Sequence, residues 1–344
     1  MHKTLNANKA VLASRSGTLE VQPGPLNSFL RRFPGRLYNA LFTPMGRKRS
    51  AYFIKRQRLN LNATYRKEGS LVYQLNNGQN FVVHRDNLLS ELVFLEGAYE
   101  PLESQIVSHI VRGNDIVLDG GANVGYFTAI LDRLVKPYGQ VHAFEPGEGT
   151  FGKLQRTKVL LQLDRSRLHP VALDCTVGPI DFWSSTSGSD AQQKTVKTLL
   201  PDEPLRHDTV PATTVDAFVA GLQDHGLPPV AFIKCDIEGA EAAMLKGAHN
   251  LLDSEHPPVW LIEHNRPALA DQGADSADLL AFFAGCEIYF VPLSWPPSRM
   301  VSPRAAYWNR RPDDLPDECN LVVFPTRGRY AQRRASLQRA GLLA

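Results

Sequence analysis

The chain has 344 residues, is 43% hydrophobic and 21% charged, and carries a formal charge of +3. That length supports one large or two modest domains around a buried core, and the balance excludes a disordered or fibrous chain. A charge so near neutrality also leaves no whole-chain signature for polyanions, so nucleic acid is not an expected partner.

Residues 1–27 are polar, contain QPGP, and read as a loose N-terminus. The opening MHKTLNANKA lacks the apolar region of a secretory leader. No run approaches the roughly 18 apolar residues of a membrane span, so the cytoplasm is the default expectation. Residues 28–95 read as a small basic α+β cap. Phe29, Phe33, Leu37 and Leu41 recur at helical spacing, among Arg31, Arg32, Arg36, Arg47, Lys48, Arg49, Lys55, Arg56 and Arg58. Such a cluster is either a solvated face or a contact for an acidic partner such as a membrane surface. Next, LVYQL and NFVVH flank Asn77-Gly78, which predicts a hairpin.

From residue 96 to about 328, strands alternate with helices. IVLD (116–119), QVHAFE (140–145), RLHPVAL (167–173), VAFIKCD (230–236), VWLIE (259–263), EIYFVPL and NLVVF (320–324) read as strands. Helices are predicted from about 124, over 149–161, from Thr213 or Thr214, over 239–252 and near 275–284. The region 179–212 reads as a strand leading into an irregular loop. This alternation predicts a mainly parallel sheet with helices on both faces. Residues 329–344 read as a basic tail. Cys175, Cys235, Cys286 and Cys319 are scattered, and three sit in or beside apolar runs, as buried thiols of a reducing compartment do.

Four of the strands close on an acid: Asp119, Glu145, Asp236 and Glu263. In an open parallel sheet, ligands bind at the carboxyl ends of the strands, so the four should share one rim. Single acids at such places are often helix caps; four together point to a polar site. After Asp119 the chain reads GGANVGYFT. Gly120, Gly121 and Gly125 allow a sharp turn and close approach of a ligand to the backbone. Ala122 stands where a dinucleotide fingerprint needs glycine. Glu145, 20 residues past Gly125, suits the hydroxyls of a ribose. Together these fit a nucleoside without a pyrophosphate.

DGGANVGYFT from Asp119, FEP from Phe144, IKCDIEGAE from Ile233, LKGA from Leu245 and Ile262-Glu263 resemble the FkbM family of S-adenosylmethionine-dependent methyltransferases. GAYEP from Gly97 and NLVVF from Asn320 fit as well, so the resemblance covers about 95–325. It implies a class I Rossmann-like α/β fold: a seven-stranded, mostly parallel sheet whose last strand is antiparallel, with EIYFVPL and NLVVF as the final pair. It implies S-adenosyl-L-methionine as cofactor, with Asp119, Gly120, Gly121 and Asn123 facing its methionine end and Glu145 its ribose. Asp174 takes the position of an adenine contact, or is a turn residue. Glu100 either closes over the cofactor's amino group or caps the helix after it.

The resemblance further implies methyl transfer to an oxygen of a sugar, glycan, lipid-linked or natural-product acceptor. Asp236, Glu238, Glu263 and His264 are the candidates for a base. Asp236, Glu263 and Asn265 would be the oxygen ligands if Mg2+ takes part. Glu241 reads as a helix N-terminal acid. Two other readings stand beside this one. An NAD-binding oxidoreductase would need glycine at 122 and a Tyr-x-x-x-Lys set; a non-catalytic, peripheral-membrane module would use the basic segment. The acceptor pocket is expected to draw on 184–207, on 293–312 with Trp295, Tyr307 and Trp308, and on the cap. Oligomeric state has no signature in the sequence.

Overall fold

The computed structural model describes residues 44–185, 193–194, 205–291, 304–308 and 311–343. Expectations for 1–43, for Trp295 and for most of 184–204 lie outside the described residues. The chain divides into two compact units, Met1–Leu59 and Asn60–Ala344. The first contributes most of a described helix, Pro44–Leu61, whose sequence holds six basic residues and no acid.

The predicted hairpin forms from β1 (Ser70–Gln74) and β2 (Asn80–His84). Gly78 takes the left-handed conformation (φ 82°) that its turn requires. The main strands follow: β3 (Ile116–Gly120), β4 (Gln140–Phe144) and β5 (Ser166–His169). A second group is β6 (Ala172–Leu173), β7 (Gly178–Ser185), β8 (Gln193–Lys194) and β9 (Leu205–Thr213). The chain then returns with β10 (Val230–Cys235), β11 (Val259–Asn265), β12 (Glu287–Val291), β13 (Ala306–Trp308) and β14 (Glu318–Phe324).

The large sheet has the order β13-β12-β14-β11-β10-β3-β4-β5. β5, β4, β3, β10 and β11 are parallel, and β14 inserts antiparallel between β11 and β12. These seven are the strands expected from sequence; β13 adds a short eighth at the edge. From β3 the chain builds outward through β4 and β5, then returns to lay β10 and β11 on the other side. The switch point of the topology therefore lies between β3 and β10, where open α/β sheets bind ligands. β3 and β10 are buried at every position, as strands covered on both faces must be. Leu118, Ile233, Trp260, Ile262, Leu321 and Val323 belong to one large core cluster.

Three local readings change. RLHPVAL is two strands rather than one: Pro170 lacks an N–H to continue the ladder, and beyond it β6 joins a separate four-stranded sheet of order β6-β9-β7-β8. The described residues of 179–212 are thus strand, with β7 and β9 antiparallel along their length. The helix expected over 239–252 is two, Glu241–Lys246 and His249–Asp253. They part at Gly247, where a Cβ would lie 2.3 Å from the Asp174 carbonyl oxygen.

Thr214, of the two threonines considered, caps the helix Val215–Asp224 by accepting from Ala217 N–H. The segment 329–344 holds a buried leucine, Leu337, and a buried arginine, Arg333, paired with Asp115.

Candidate active site

At the carboxyl ends of β3, β4, β10 and β11 lies a cavity of about 180 Å³. Asp119, Glu145, Asp236 and Glu263 all line it, as four acid-terminated strands on one rim require. The strand order sets the character of the wall. On the β11-β10-β3 side stand Glu263, Asp236, Glu238 and Asp119, joined by Glu100; Glu145 follows at β4; beyond it come Val171, Ala172, Leu173 and Phe182. One side is acidic and the other apolar, with a carboxylate between.

The turn after β3 owes its glycines to the protein itself. A Cβ on Gly121 would sit 1.7 Å from the Asp236 carbonyl oxygen, and one on Gly125 would sit 2.9 Å from Leu154. Both residues have positive φ, 74° and 91°. The glycines thus let the turn close onto β10's following loop and onto the helix Glu148–Leu161. The amides of Gly121 and Ala122 both donate to Phe144 O, at 3.1 and 2.9 Å, and Gly125 N–H donates to Ala122 O at 2.9 Å. Asn123 N–H donates to Glu145 Oε2 at 3.1 Å. A pyrophosphate cradle needs free amides at this turn; here they are engaged.

Glu145 is held from two sides, since its Oε1 accepts Gly147 N–H at 2.9 Å. The carboxylate is thereby fixed in place at the rim. Asp119 is fully buried; its Oδ2 accepts the Thr128 hydroxyl at 2.6 Å, and Oδ1 has no partner among the described residues. Burial raises the Asp119 pKa. Glu263 Oε2 and Asn123 Oδ1 are likewise without partners there. Burial, then repulsion from Asp236 and Glu238, holds Glu263 well above the usual carboxylate range.

Glu100 occupies the N-cap position of the helix Pro101–Ile110 but makes no side-chain cap bond, and it lines the cavity instead. Its φ of 38° is left-handed, a costly conformation for a residue with a Cβ. Burial, then the neighbouring Glu103, raises its pKa well above normal.

Lys234 was not singled out by sequence, although a lysine inside the apolar run VAFIKC is a visible signal. Its ammonium bonds Asp236 Oδ2 at 2.9 Å and lies 4.8 Å from the Phe127 ring centroid. Burial opposes its charge, but Asp236, Asp119 and Glu100 outweigh burial and raise its pKa. Tyr99, Phe127 and Phe182 are further wall residues that sequence reasoning missed.

His264 does not join the site. Neighbouring residues of a strand face opposite sides, so with Glu263 in the cavity wall His264 turns into the protein and bonds Ser276 Oγ at 2.8 Å. Asp174 does not line the cavity; its Oδ1 accepts Cys175 N–H at 2.7 Å, the turn alternative. Asn265 caps the helix Arg266–Asp271 through Ala268 N–H. The oxygen set considered for Mg2+ is therefore not brought together, and among the described residues no group of three or more His, Cys, Asp or Glu is placed to hold a metal. Glu241 Oε1 accepts from Ile237 and Gly239 amides, fixing the turn after β10.

Residues 119–287 match the family model described as Methyltransferase FkbM domain. Over those residues the chain carries a methyltransferase FkbM domain. The matched span runs from the first rim acid to the start of β12 and so contains the cavity's acids except Glu100. Among curated relatives, Methyltransferase sdnD of Sordaria araneosa is 27% identical over 44% of this chain and 64% of its own. The alignment thus covers less than two thirds of that relative. 2-O-methyltransferase NoeI of Sinorhizobium fredii is 27% identical over 46% of this chain and 70% of its own. A solved Methyltransferase FkbM from Methylobacillus flagellatus KT aligns with 81% of this chain and 59% of its own at 17% identity, with a TM-score of 0.36.

Proposed function

We propose that this FkbM domain binds S-adenosyl-L-methionine in the rim cavity and methylates a hydroxyl of a sugar, glycan, lipid-linked or natural-product acceptor. The observation that carries the reading is the pairing of an acid-rich, apolar-flanked cavity with a glycine turn whose amides are engaged. A sulfonium nucleoside needs that combination: carboxylates for its cationic end, an acceptor for its diol, an apolar slot for its base, and no anion cradle. The orphaned oxygens of Asp119 and Glu263 fit a ligand that brings cationic and hydrogen-bonding groups. The relative NoeI is named a 2-O-methyltransferase, which favours oxygen as the acceptor atom. A dinucleotide would set its pyrophosphate against engaged amides and carboxylates, which disfavours the NAD reading.

When bound, S-adenosylmethionine supplies a methyl group on a sulfonium that departs as a neutral thioether. The chain's part is orientation and proton removal. Glu145, fixed by two amides, orients the ribose. Asp236 is the base: its side chain is 24% exposed, the opening a substrate needs, and the Lys234 ammonium holds its Oδ2 at 2.9 Å. It takes the hydroxyl proton as oxygen forms the new bond. Glu263 lines the same wall, with its Oε2 left to accept a hydrogen bond from the substrate. General base catalysis of this kind contributes about 10²–10⁴-fold.

Thermal-shift measurements with S-adenosylhomocysteine and with NAD test the cofactor. Stabilisation by the first alone supports the reading; stabilisation by NAD alone reverses it. Incubation with deuterated-methyl donor and fractionated glycans and lipids, read by mass spectrometry, then tests the acceptor. Label on nitrogen would contradict the hydroxyl assignment.

A further inference from the structure

The acid-rich wall raises a difficulty for the cofactor reading on which this inference rests. The methionine end of S-adenosylmethionine carries a sulfonium, an ammonium and one carboxylate. Glu100, Asp119, Asp236, Glu238 and Glu263 complement the two cations and repel the anion. Among the described residues lining the cavity, Lys234 is the single Lys, Arg or His.

Six amides of the turns around the cavity are already engaged. The amides of Gly121 and Ala122 serve Phe144 O, those of Asn123 and Gly147 serve Glu145, and those of Ile237 and Gly239 serve Glu241. An ammonium has three donors. Lys234 engages one with Asp236 and rests against the Phe127 ring. Its register partner on β3 is Asp119, which places it over the switch point.

We propose that Lys234 receives the α-carboxylate of the cofactor's methionine moiety, so that one buried cation fixes both the ligand's anionic group and Asp236. A carboxylate bound to an ammonium inside a low-dielectric wall forms a charge-assisted hydrogen bond. Its loss should be readable as a change in affinity, without any turnover.

The test is calorimetry of the full chain with three probes: S-adenosylhomocysteine, its decarboxylated aminopropyl analogue, and 5′-methylthioadenosine, which lacks both end groups. The wild-type protein should bind S-adenosylhomocysteine at least about tenfold more tightly than the aminopropyl analogue. Lys234→Met should bring that ratio near one, and Lys234→Arg should keep a preference for the carboxylate. Equal or tighter binding of the aminopropyl analogue by the wild type overturns the assignment, as does a Met variant with the full preference. If the Met variant does not fold, the wild-type ratio and the Arg variant decide. Binding of methylthioadenosine without carboxylate discrimination defeats this inference alone; failure of all three probes to bind the wild type defeats the nucleoside reading with it.

Discussion

The two ends of β3 carry aspartates in opposite circumstances. Asp115, just ahead of the strand, receives Arg333 Nη1 at 2.5 Å and Nη2 at 2.7 Å, and accepts Arg112 N–H at 2.8 Å. Asp119, four residues on, is fully buried, accepts one hydroxyl, and leaves its second oxygen without a partner among the described residues. Asp132 resembles the first case, accepting Arg165 N–H and the Ser166 hydroxyl. Glu263 resembles the second. One end of the sheet satisfies its carboxylates internally and gains stability from them. The other leaves buried carboxylate oxygens without partners among the described residues, where the proposed cofactor would bring its cationic groups.

Breaking each end should therefore give different losses. The largest is expected from Arg333→Ala, which leaves the part-buried Asp115 carboxylate without its counter-ion: urea unfolding should show a loss of about 3 kcal/mol, with S-adenosylhomocysteine affinity of the folded fraction unchanged. Glu145→Ala should weaken S-adenosylhomocysteine by more than about tenfold, or about 1.4 kcal/mol, since it removes the diol acceptor and releases the Asn123 and Gly147 amides. Unaltered affinity in calorimetry would remove Glu145 from the ribose role.

Glu263→Gln should do the reverse of Arg333→Ala. Its folded pKa is raised, so the carboxyl stabilises below its unfolded pKa and that contribution is lost as pH rises through the folded value. The variant should hold or gain up to about 1 kcal/mol in ligand-free stability, most clearly at alkaline pH, while methyl transfer falls. A clear loss of stability would mean the acid is structurally satisfied.

The smallest single effect belongs to the buried histidines. Burial lowers His84, His142 and His169 to about 4 from 6.5. Their stabilisation is present above 6.5 and is lost as pH falls through 4. The rim acids act in the opposite sense, so the wild-type slope mixes both. His142→Phe, a residue packed between His169 and Phe218, should flatten the fall in Tm between pH 7 and 5; an unchanged slope would contradict the assignment.

The acid-ended strands were legible in sequence because each joins an apolar run to one carboxylate, and the parallel alternation does the rest. Lys234 was equally legible, as a lone charge in a central strand. His264 could have been set aside by strand alternation once Glu263 was placed on the rim. The second sheet was not legible: β7 and β9 pair across some twenty intervening positions, and neither alternates cleanly. The glycines were read correctly as a tight turn, but the reason for Gly121, the carbonyl of Asp236, lies 115 residues away in the chain and has no local signature.

A crystal structure with S-adenosylhomocysteine tests the central claim most directly. The account predicts the adenosine across the turn at Ala122 and Asn123, its diol on Glu145, its base against Leu173 and Phe182, and its amino-acid end among Glu100, Asp119 and Lys234. A ligand seated elsewhere, or a rim cavity that stays closed by its own side chains at saturating ligand, would contradict it.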